Sequence, residues 1–181
     1  QFKNVELWFG GKVCPKFFGW IVPENEKVAR VGIAAEKNPN NFYKQFLEKR
    51  VKTFSNPDVT GVIRFGLMKD TARDRVLLVG DAACQMKPIS GGGITYGLIG
   101  AQFAADAAHK ALEENKFSYR FFKEEYDERW KERLAPGINK GLFYRNLLFK
   151  MSDSQMSFAF KMVKKFGIGF LGKMDFDLLL S

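Results

Sequence analysis

The stretch from Arg75 to Ala108 constrains the fold of this chain more than any other part of it. Arg75-Val76-Leu77-Leu78-Val79-Gly80 is a short, nearly all-apolar run ending in Gly80-Asp81, the pattern of a strand buried on both faces. The chain then reads Ala82-Ala83-Cys84-Gln85-Met86-Lys87-Pro88-Ile89-Ser90, followed by Gly91-Gly92-Gly93-Ile94. From Gly93 onward the residues turn small and apolar, with Ile94, Gly97, Leu98, Ala101, Ala104, Ala105 and Ala108, which predicts a helix packed very close to its neighbours. A strand, a loop turning at Pro88 and a glycine-opened helix place Asp81 where α/β sheets bind ligands. A carboxylate there accepts hydrogen bonds from sugar-type hydroxyls. The glycines remove side chains, so backbone N–H groups and the positive helix end can approach an anion or an electron-rich ring edge. A glycine triplet alone could be a flexible turn with Asp81 as a local cap. The apolar strand, Gly-Asp, proline and Ala/Gly-rich helix together point to a ligand.

The first third reads as antiparallel β structure, with strands at Val5–Phe9, Phe17–Val22 and Val28–Ala35. The turn-formers Pro23-Glu24-Asn25-Glu26 predict a hairpin between the last two. Phe42, Phe46, Leu47 and Val51 then fall at helical spacing, predicting a helix over Asn40–Phe54 capped by Asn40 or Asn41. A loop over Ser55–Gly61 and a short strand over Val59–Phe65 follow. After Ser118, Tyr119–Leu134 reads as a charged amphipathic helix stopped by Pro136-Gly137. The remainder to Ser181 is helical, aromatic and basic. There Phe158, Phe160, Met162, Val163, Phe166, Ile168, Phe170 and Leu171 alternate with Lys161, Lys164, Lys165 and Lys173. That tail fits an interfacial helix on anionic lipid or an ordinary helix packed on the domain, and Gly167, Gly169 and Gly172 weaken its continuity.

A 46% hydrophobic content over 181 residues supplies a real core, and the 19 Phe suit either that core or an apolar tunnel. The net charge is +9, with the basic residues spread along the chain. No Lys/Arg arm and no nucleic-acid module is present, so nucleic acid is not an expected partner. The two cysteines, Cys14 and Cys84, form no CxxC and no Cys/His cluster, which leaves no disulfide framework or zinc site to expect and fits a cytoplasmic setting. No apolar run reaches the roughly 18 residues of a membrane-spanning helix, so any membrane contact is expected to be peripheral. His109, the only histidine, reads as a solvated helix position.

The stretch from Val76 to Ala108 resembles the second FAD-binding motif of flavoproteins with the para-hydroxybenzoate hydroxylase-type fold. Gly80-Asp81-Ala82-Ala83 followed by Lys87-Pro88 and Gly91-Gly92-Gly93-Ile94 most resembles the geranylgeranyl reductase family. That family also carries an earlier motif, P-x-x-Y-x-W-x-F-P, and Pro15-Lys16-Phe17-Phe18-Gly19-Trp20-Ile21-Val22-Pro23 is similar to it in register. Phe18 stands where the family often has Tyr, which removes a hydroxyl, and Val22 stands where Phe is usual. Cys84 replaces a frequent Gly and reads as a small buried residue. The resemblance implies FAD as cofactor, with Asp81, preceded by Gly80 and followed by Ala82, at its ribityl–diphosphate part. It also implies that the loop from Pro88 through Gly91 and Gly92 brings the backbone of Gly93 and Ile94 to the isoalloxazine. Pro15, Phe18, Trp20 and Pro23 would line the substrate side, although a sheet-core role for Trp20 stays open.

The N-terminal G-x-G-x-x-G fingerprint of dinucleotide-binding folds is absent. The expectation is therefore an α+β fragment, the C-terminal portion of such an enzyme, without the ADP-binding half of the FAD site. It would comprise an antiparallel substrate-domain sheet with a helix (residues 1–66), the last strand and glycine-opened helix of an FAD-binding α/β domain (67–115), and a helical C-terminal region (116–181). The implied activity is reduction of C=C bonds in a geranylgeranyl or other polyprenyl lipid or diphosphate; no residue is an evident proton donor, and the electron donor is unspecified. An aromatic hydroxylase or quinone-linked dehydrogenase of the same fold, or a non-catalytic lipid-binding module, are the alternatives.

Overall fold

Three antiparallel strands come first, β1 (Glu6–Phe9), β2 (Phe18–Pro23) and β3 (Ala29–Ile33), with β2 in the centre. In this computed structural model, which describes residues 3–51 and 59–166, Leu7 pairs with Trp20, Phe9 with Phe18, and Trp20 with Gly32. Side chains alternate across the pleat, so Leu7, Phe9, Phe18, Trp20 and Gly32 share one face and Trp8, Gly19, Ile21 and Ile33 the other. The second face is the buried one. Helix α1 (Pro39–Arg50) covers it, with Phe46 edge-on to Trp8 at 5.7 Å, and Cys14, Ile21, Phe46 and Leu47 are buried together with it. Arg50 Nη2 donates to Glu6 Oε1 at 2.5 Å, tying β1 to the helix end. The β2–β3 turn closes as its residues predict, because the Asn25 side chain accepts the N–H groups of Lys27 and Val28, each at 2.9 Å.

Two details of α1 differ from expectation. It starts at Pro39, after Asn38 in the left-handed region at φ 51°, and not behind Asn40 or Asn41; proline at the first turn needs no N–H partner and fixes a helical φ. It stops at Arg50, with Val51 extended. Residues 52–54 of the expected helix and most of the expected loop lie outside the described residues. The expected strand over 59–65 does not form. Val59 and Val62 are 88% and 87% exposed, and among the described residues no strand offers this segment a hydrogen-bonding edge.

The apolar run from Arg75 to Gly80 is likewise not a doubly buried strand. It contributes β5 (Val76–Leu77), paired antiparallel with β4 (Ala72–Arg73) across a tight turn in which Arg75 has φ 58°, and Val76 is exposed. A run of this kind becomes an interior strand only when strands flank it on both sides, and among the described residues its one partner is its own hairpin arm. A 3₁₀ turn over Gly80–Ala83 follows, and then α2 (Ile94–Glu114) begins at the glycines as the sequence predicts. Its tight side is Tyr96, Gly100, Ala107 and Ala111, all buried, whereas Ala101 and Ala105 face outward.

Next comes one long helical rod. It consists of α3 (Tyr119–Phe122), a π-helical stretch (Lys123–Glu128) and α4 (Arg129–Leu148). Phe122, Tyr126, Trp130, Leu134 and Ile138 form a ladder every four residues and are all buried in one cluster with Ala72, Tyr96, Ala107 and Ala111. At 3.6 residues per turn a row four apart drifts round an α-helix; the wider π turn counters that drift and keeps the ladder on one side. The rod also runs straight through Pro136, where the sequence predicts a stop. An interior proline costs about 3 kcal/mol. Its ring is on the exposed side, and burying Leu134 and Ile138 completely on the other returns about 1.5–3 kcal/mol each.

The last described element, α5 (Asp153–Phe166), groups with the three strands and α1 in one compact unit, and Gly61–Leu147 forms the second. Phe160 of α5 packs on Phe9 at 5.4 Å, and the Asp153 carboxylate accepts the Gly11 N–H at 2.8 Å. Residues 167–181 of the expected interfacial tail lie outside the described residues. No helix among the described residues is long and apolar enough to cross a membrane.

Candidate functional site

The loop from Gly80 to Ile94 is built for close backbone approach. Gly80 and Gly91 sit at positive φ, 66° and 71°, where side chains other than glycine are strained. Lys87 N–H bonds to the Gly92 carbonyl at 3.0 Å and Gly91 N–H to the Lys87 carbonyl at 2.9 Å, folding the segment 87–92 into a compact hairpin-like loop around Pro88. A Cβ on Gly97 would come 3.5 Å from the Cα of Gly80, so the second turn of α2 lies against the 3₁₀ turn. A Cβ on Gly93 would stand 2.6 Å from Asp81 Oδ1. Asp81 is thus brought to the opening of α2, where no side chain caps the helix.

What this surface presents outward is specific. Asp81, Ala82 and Gly92 are exposed, as is Ile94 at 83%, with Leu98 one turn further at 67%. A carboxylate, uncapped helix N–H groups and an apolar step thus stand side by side. That set suits a ligand with hydroxyls, an electron-rich edge and a flat apolar body. Pro88, by contrast, is buried. Its role is to anchor the loop from below: Gly141 of α4 leaves room for its ring, since a Cβ would lie 2.8 Å from it. The Pro88 carbonyl accepts from Arg145 Nη1 at 2.9 Å, and Arg145 in turn stacks over Phe65 at 3.9 Å.

The inner side of the same turn is held by groups that sequence reasoning missed. Gln85 is completely buried. Its Oε1 accepts the Gly80 N–H at 2.8 Å and its Nε2 donates to the Tyr126 hydroxyl at 3.0 Å. Tyr126 donates onward to the Leu78 carbonyl. Burial pushes the Tyr126 phenol above its ordinary value, so it remains a donor. Beside it, Asp127 accepts from Thr71 N–H at 2.8 Å and Thr71 Oγ1 at 2.6 Å, Trp130 Nε1 donates to Thr71 Oγ1 at 2.8 Å, and Lys131 closes the set at 2.6 Å from Asp127. The one sequence signal for these contacts was Gly100: a Cβ there would sit 1.9 Å from Gln85 Oε1.

In the first unit, Phe18 and Trp20 share the open sheet face with Leu7 and Phe9, half-buried and not in the core beneath α1. Phe18 lies 6.0 Å from Trp20 and 5.4 Å from Phe9, and the indole lies flat over Gly32, where a Cβ would come within 2.2 Å of it. The two prolines stand off this face, Pro15 in the turn before β2, with its carbonyl accepting Glu36 N–H at 3.4 Å, and Pro23 at the end of β2 opposite Ala29. A groove of about 510 Å³ with a mixed lining opens beside the face, formed by Leu7, Phe9, Met156 and Phe160 on one hand and Gly10, Asp153 and Ser157 on the other. Cys14 and Cys84 are free, buried thiols, and Cys84 is the small buried residue its position predicts. Burial pushes Cys14 up to about 12 and Cys84 upward as well. His109 stands in solvent beside Glu113.

No family model matches the chain. Its sequence is 34% identical over 165 residues to the digeranylgeranylglycerophospholipid reductase of Methanocaldococcus jannaschii, covering 85% of this chain and 42% of that protein. It is 29% identical over 187 residues to the digeranylgeranylglycerophospholipid reductase of Methanosarcina acetivorans, covering 96% of this chain and 45% of that protein. This chain is a homologue of the geranylgeranyl reductases. The resemblance carried by Pro15–Pro23 and Gly80–Ile94 is thereby borne out. The fold agrees: the crystal structure of a geranylgeranyl bacteriochlorophyll reductase-like protein from Thermoplasma acidophilum superposes with a TM-score of 0.68 at 24% identity, over 83% of this chain and 40% of that one. The chain spans less than half the length of the curated reductases it matches, and Pro15–Pro23 and Gly80–Ile94 fall in different units.

Proposed function

We propose that this chain is part of an FAD-dependent reductase that saturates C=C bonds in geranylgeranyl chains of a lipid or diphosphate. The observation that carries the reading is the Gly80–Ile94 loop, where Asp81 meets the uncapped opening of α2 in a chain homologous to digeranylgeranylglycerophospholipid reductases. Residues 67–115 hold the isoalloxazine-side half of the FAD site. Asp81, set by Gly80 and Ala82, receives the ribityl hydroxyls. Pro88, Gly91 and Gly92 shape the loop, and the backbone of Gly93 and Ile94 faces the electron-rich edge of the ring. Reduced FAD, when bound, would supply the hydride for an isolated double bond, and water would supply the proton that completes each saturation.

The chain's own contribution is orientation and exclusion of bulk water. The open face of Phe18 and Trp20, bounded by Pro15 and Pro23, offers an apolar wall for a prenyl chain within residues 1–66. A substrate of this kind lives in a membrane, and α5 has the composition to meet one from the cytoplasmic side. Phe158 is 64% exposed and Met162 is also exposed, with Lys161, Lys164 and Lys165 beside them, an arrangement that favours anionic lipid.

The test is the full-length protein with dithionite-reduced FAD and a geranylgeranyl lipid, read by mass spectrometry. The expected product gains one H2 per saturated double bond. An unchanged lipid would sink the reading, and rapid NADPH oxidation on adding a phenol would assign an aromatic hydroxylase of the same fold instead.

A further inference from the structure

A polar pair with no part in a reductase's chemistry sits at the centre of the second unit. Gln85 and Tyr126 are both completely buried, Tyr126 within an aromatic and aliphatic cluster that borders the buried Thr71 and Asp127. Burying a carboxamide and a phenol is unfavourable unless their groups are bonded, and a methionine and a phenylalanine would fill the same space. Their bonds to the main chain both land on one short piece of backbone, and the Tyr126 hydroxyl also touches Thr71. Gln85 Oε1 takes the Gly80 N–H, Gln85 Nε2 reaches the Tyr126 hydroxyl, and that hydroxyl bonds to the Leu78 carbonyl. The peptides on both sides of Val79 are therefore pinned from within. Gln85 N–H bonds back to the Gly80 carbonyl at 3.0 Å, which closes the turn on itself. Glycine at position 100 is required by this arrangement, because the carboxamide occupies the place where a Cβ would be.

The outward end of the turn is where the consequence appears. Asp81 and Ala82 are exposed, and the Asp81 carboxylate stands beside Gly93 at the opening of α2. Rotation of the Gly80 peptide would swing Asp81 away from that opening. The wide π-helical stretch is what delivers Tyr126 to this point, 41 residues along the chain from Gln85.

We infer that Gln85 and Tyr126 are positioning residues that hold the Gly80-Asp81 turn in the orientation that receives FAD, an inference that rests on the flavin reading above. In the full-length protein, Gln85→Met leaves the Gly80 N–H without its acceptor at nearly constant volume. Tyr126→Phe removes the hydroxyl while the ring still fills the core. Both are expected to raise the dissociation constant for FAD about tenfold, one hydrogen bond's worth of positioning, and to move the bound-flavin absorbance toward that of free FAD. Tyr119→Phe is the control: it removes a phenol hydroxyl bonded to Asp70 at 2.7 Å in the same unit, away from the Gly80 turn. It is expected to lower the melting temperature while leaving FAD affinity and spectrum unchanged. Wild-type affinity and spectrum in Gln85→Met and Tyr126→Phe would overturn the inference, as would equal loosening by Tyr119→Phe; where Gln85→Met does not accumulate, Tyr126→Phe decides alone. Failure of the flavin reading looks different, since the unsubstituted protein would then take up no FAD whatever stands at positions 85 and 126.

Discussion

Replacing Gly100 by alanine is expected to destabilise the protein even though alanine is the better helix former. The exchange gains about 1 kcal/mol of helix propensity. Against it, the new Cβ would lie 1.9, 2.4 and 2.6 Å from Oε1, Cδ and Nε2 of Gln85. All three atoms are too close, so rotating the amide does not relieve the clash and the whole group must move. Moving it orphans the Gly80 N–H and removes the partner of the Tyr126 hydroxyl, at about 1–3 kcal/mol, and overpacking adds about 1–3 kcal/mol. The net loss is about 1–5 kcal/mol once the propensity gain is subtracted. In a Gln85→Ala background the obstruction is gone, and Gly100→Ala should then stabilise by about 0.5–1 kcal/mol. Urea unfolding of the four proteins, followed by far-ultraviolet circular dichroism, measures the cycle. The same effect of Gly100→Ala in both backgrounds would refute the packing argument.

Asp127 is buried and accepts both Thr71 N–H and Thr71 Oγ1, so Asp127→Ala is expected to cost about 1–3 kcal/mol by leaving those two buried donors without their acceptor. Asp127→Asn, which keeps an acceptor, should cost visibly less in the same denaturation assay. With Cys14 raised to about 12 and both thiols buried, native protein should resist thiol reagents at about pH 8 and label fully only in denaturant; fast native labelling would contradict this. The Arg50 guanidinium beside Glu6 holds its carboxyl below its ordinary value. A depressed folded value contributes stability above the ordinary carboxylate range and loses it as pH falls through the folded value. The stability gap between wild type and Glu6→Gln should therefore be constant near neutrality and close in acid. Liposome flotation with anionic vesicles should weaken on Phe158→Glu and on added salt, and unchanged flotation would remove α5 from the membrane contact.

The local chemistry of the chain determined its antiparallel strands, its β2–β3 turn and the place where α2 opens. Alternation puts Phe18 and Trp20 on one face whatever lies around them, and glycine tolerates positive φ at Gly80 and Gly91 as a property of one residue. The motif residues from Gly80 to Ile94 were legible for that reason. Other features depended on partners distant in the chain. The run from Arg75 to Gly80 looked like an interior strand, but a strand exists only through neighbours, and here the neighbour is its own hairpin arm. Pro136 looked like a stop, but Leu134 and Ile138 bury enough surface to carry the helix past it. Gln85 looked like one more loop residue. Only the tertiary structure, by bringing Tyr126 across 41 residues and leaving Gly100 without a side chain, turned it into the support beneath Asp81, because a hydrogen bond between remote positions leaves no periodicity in the sequence.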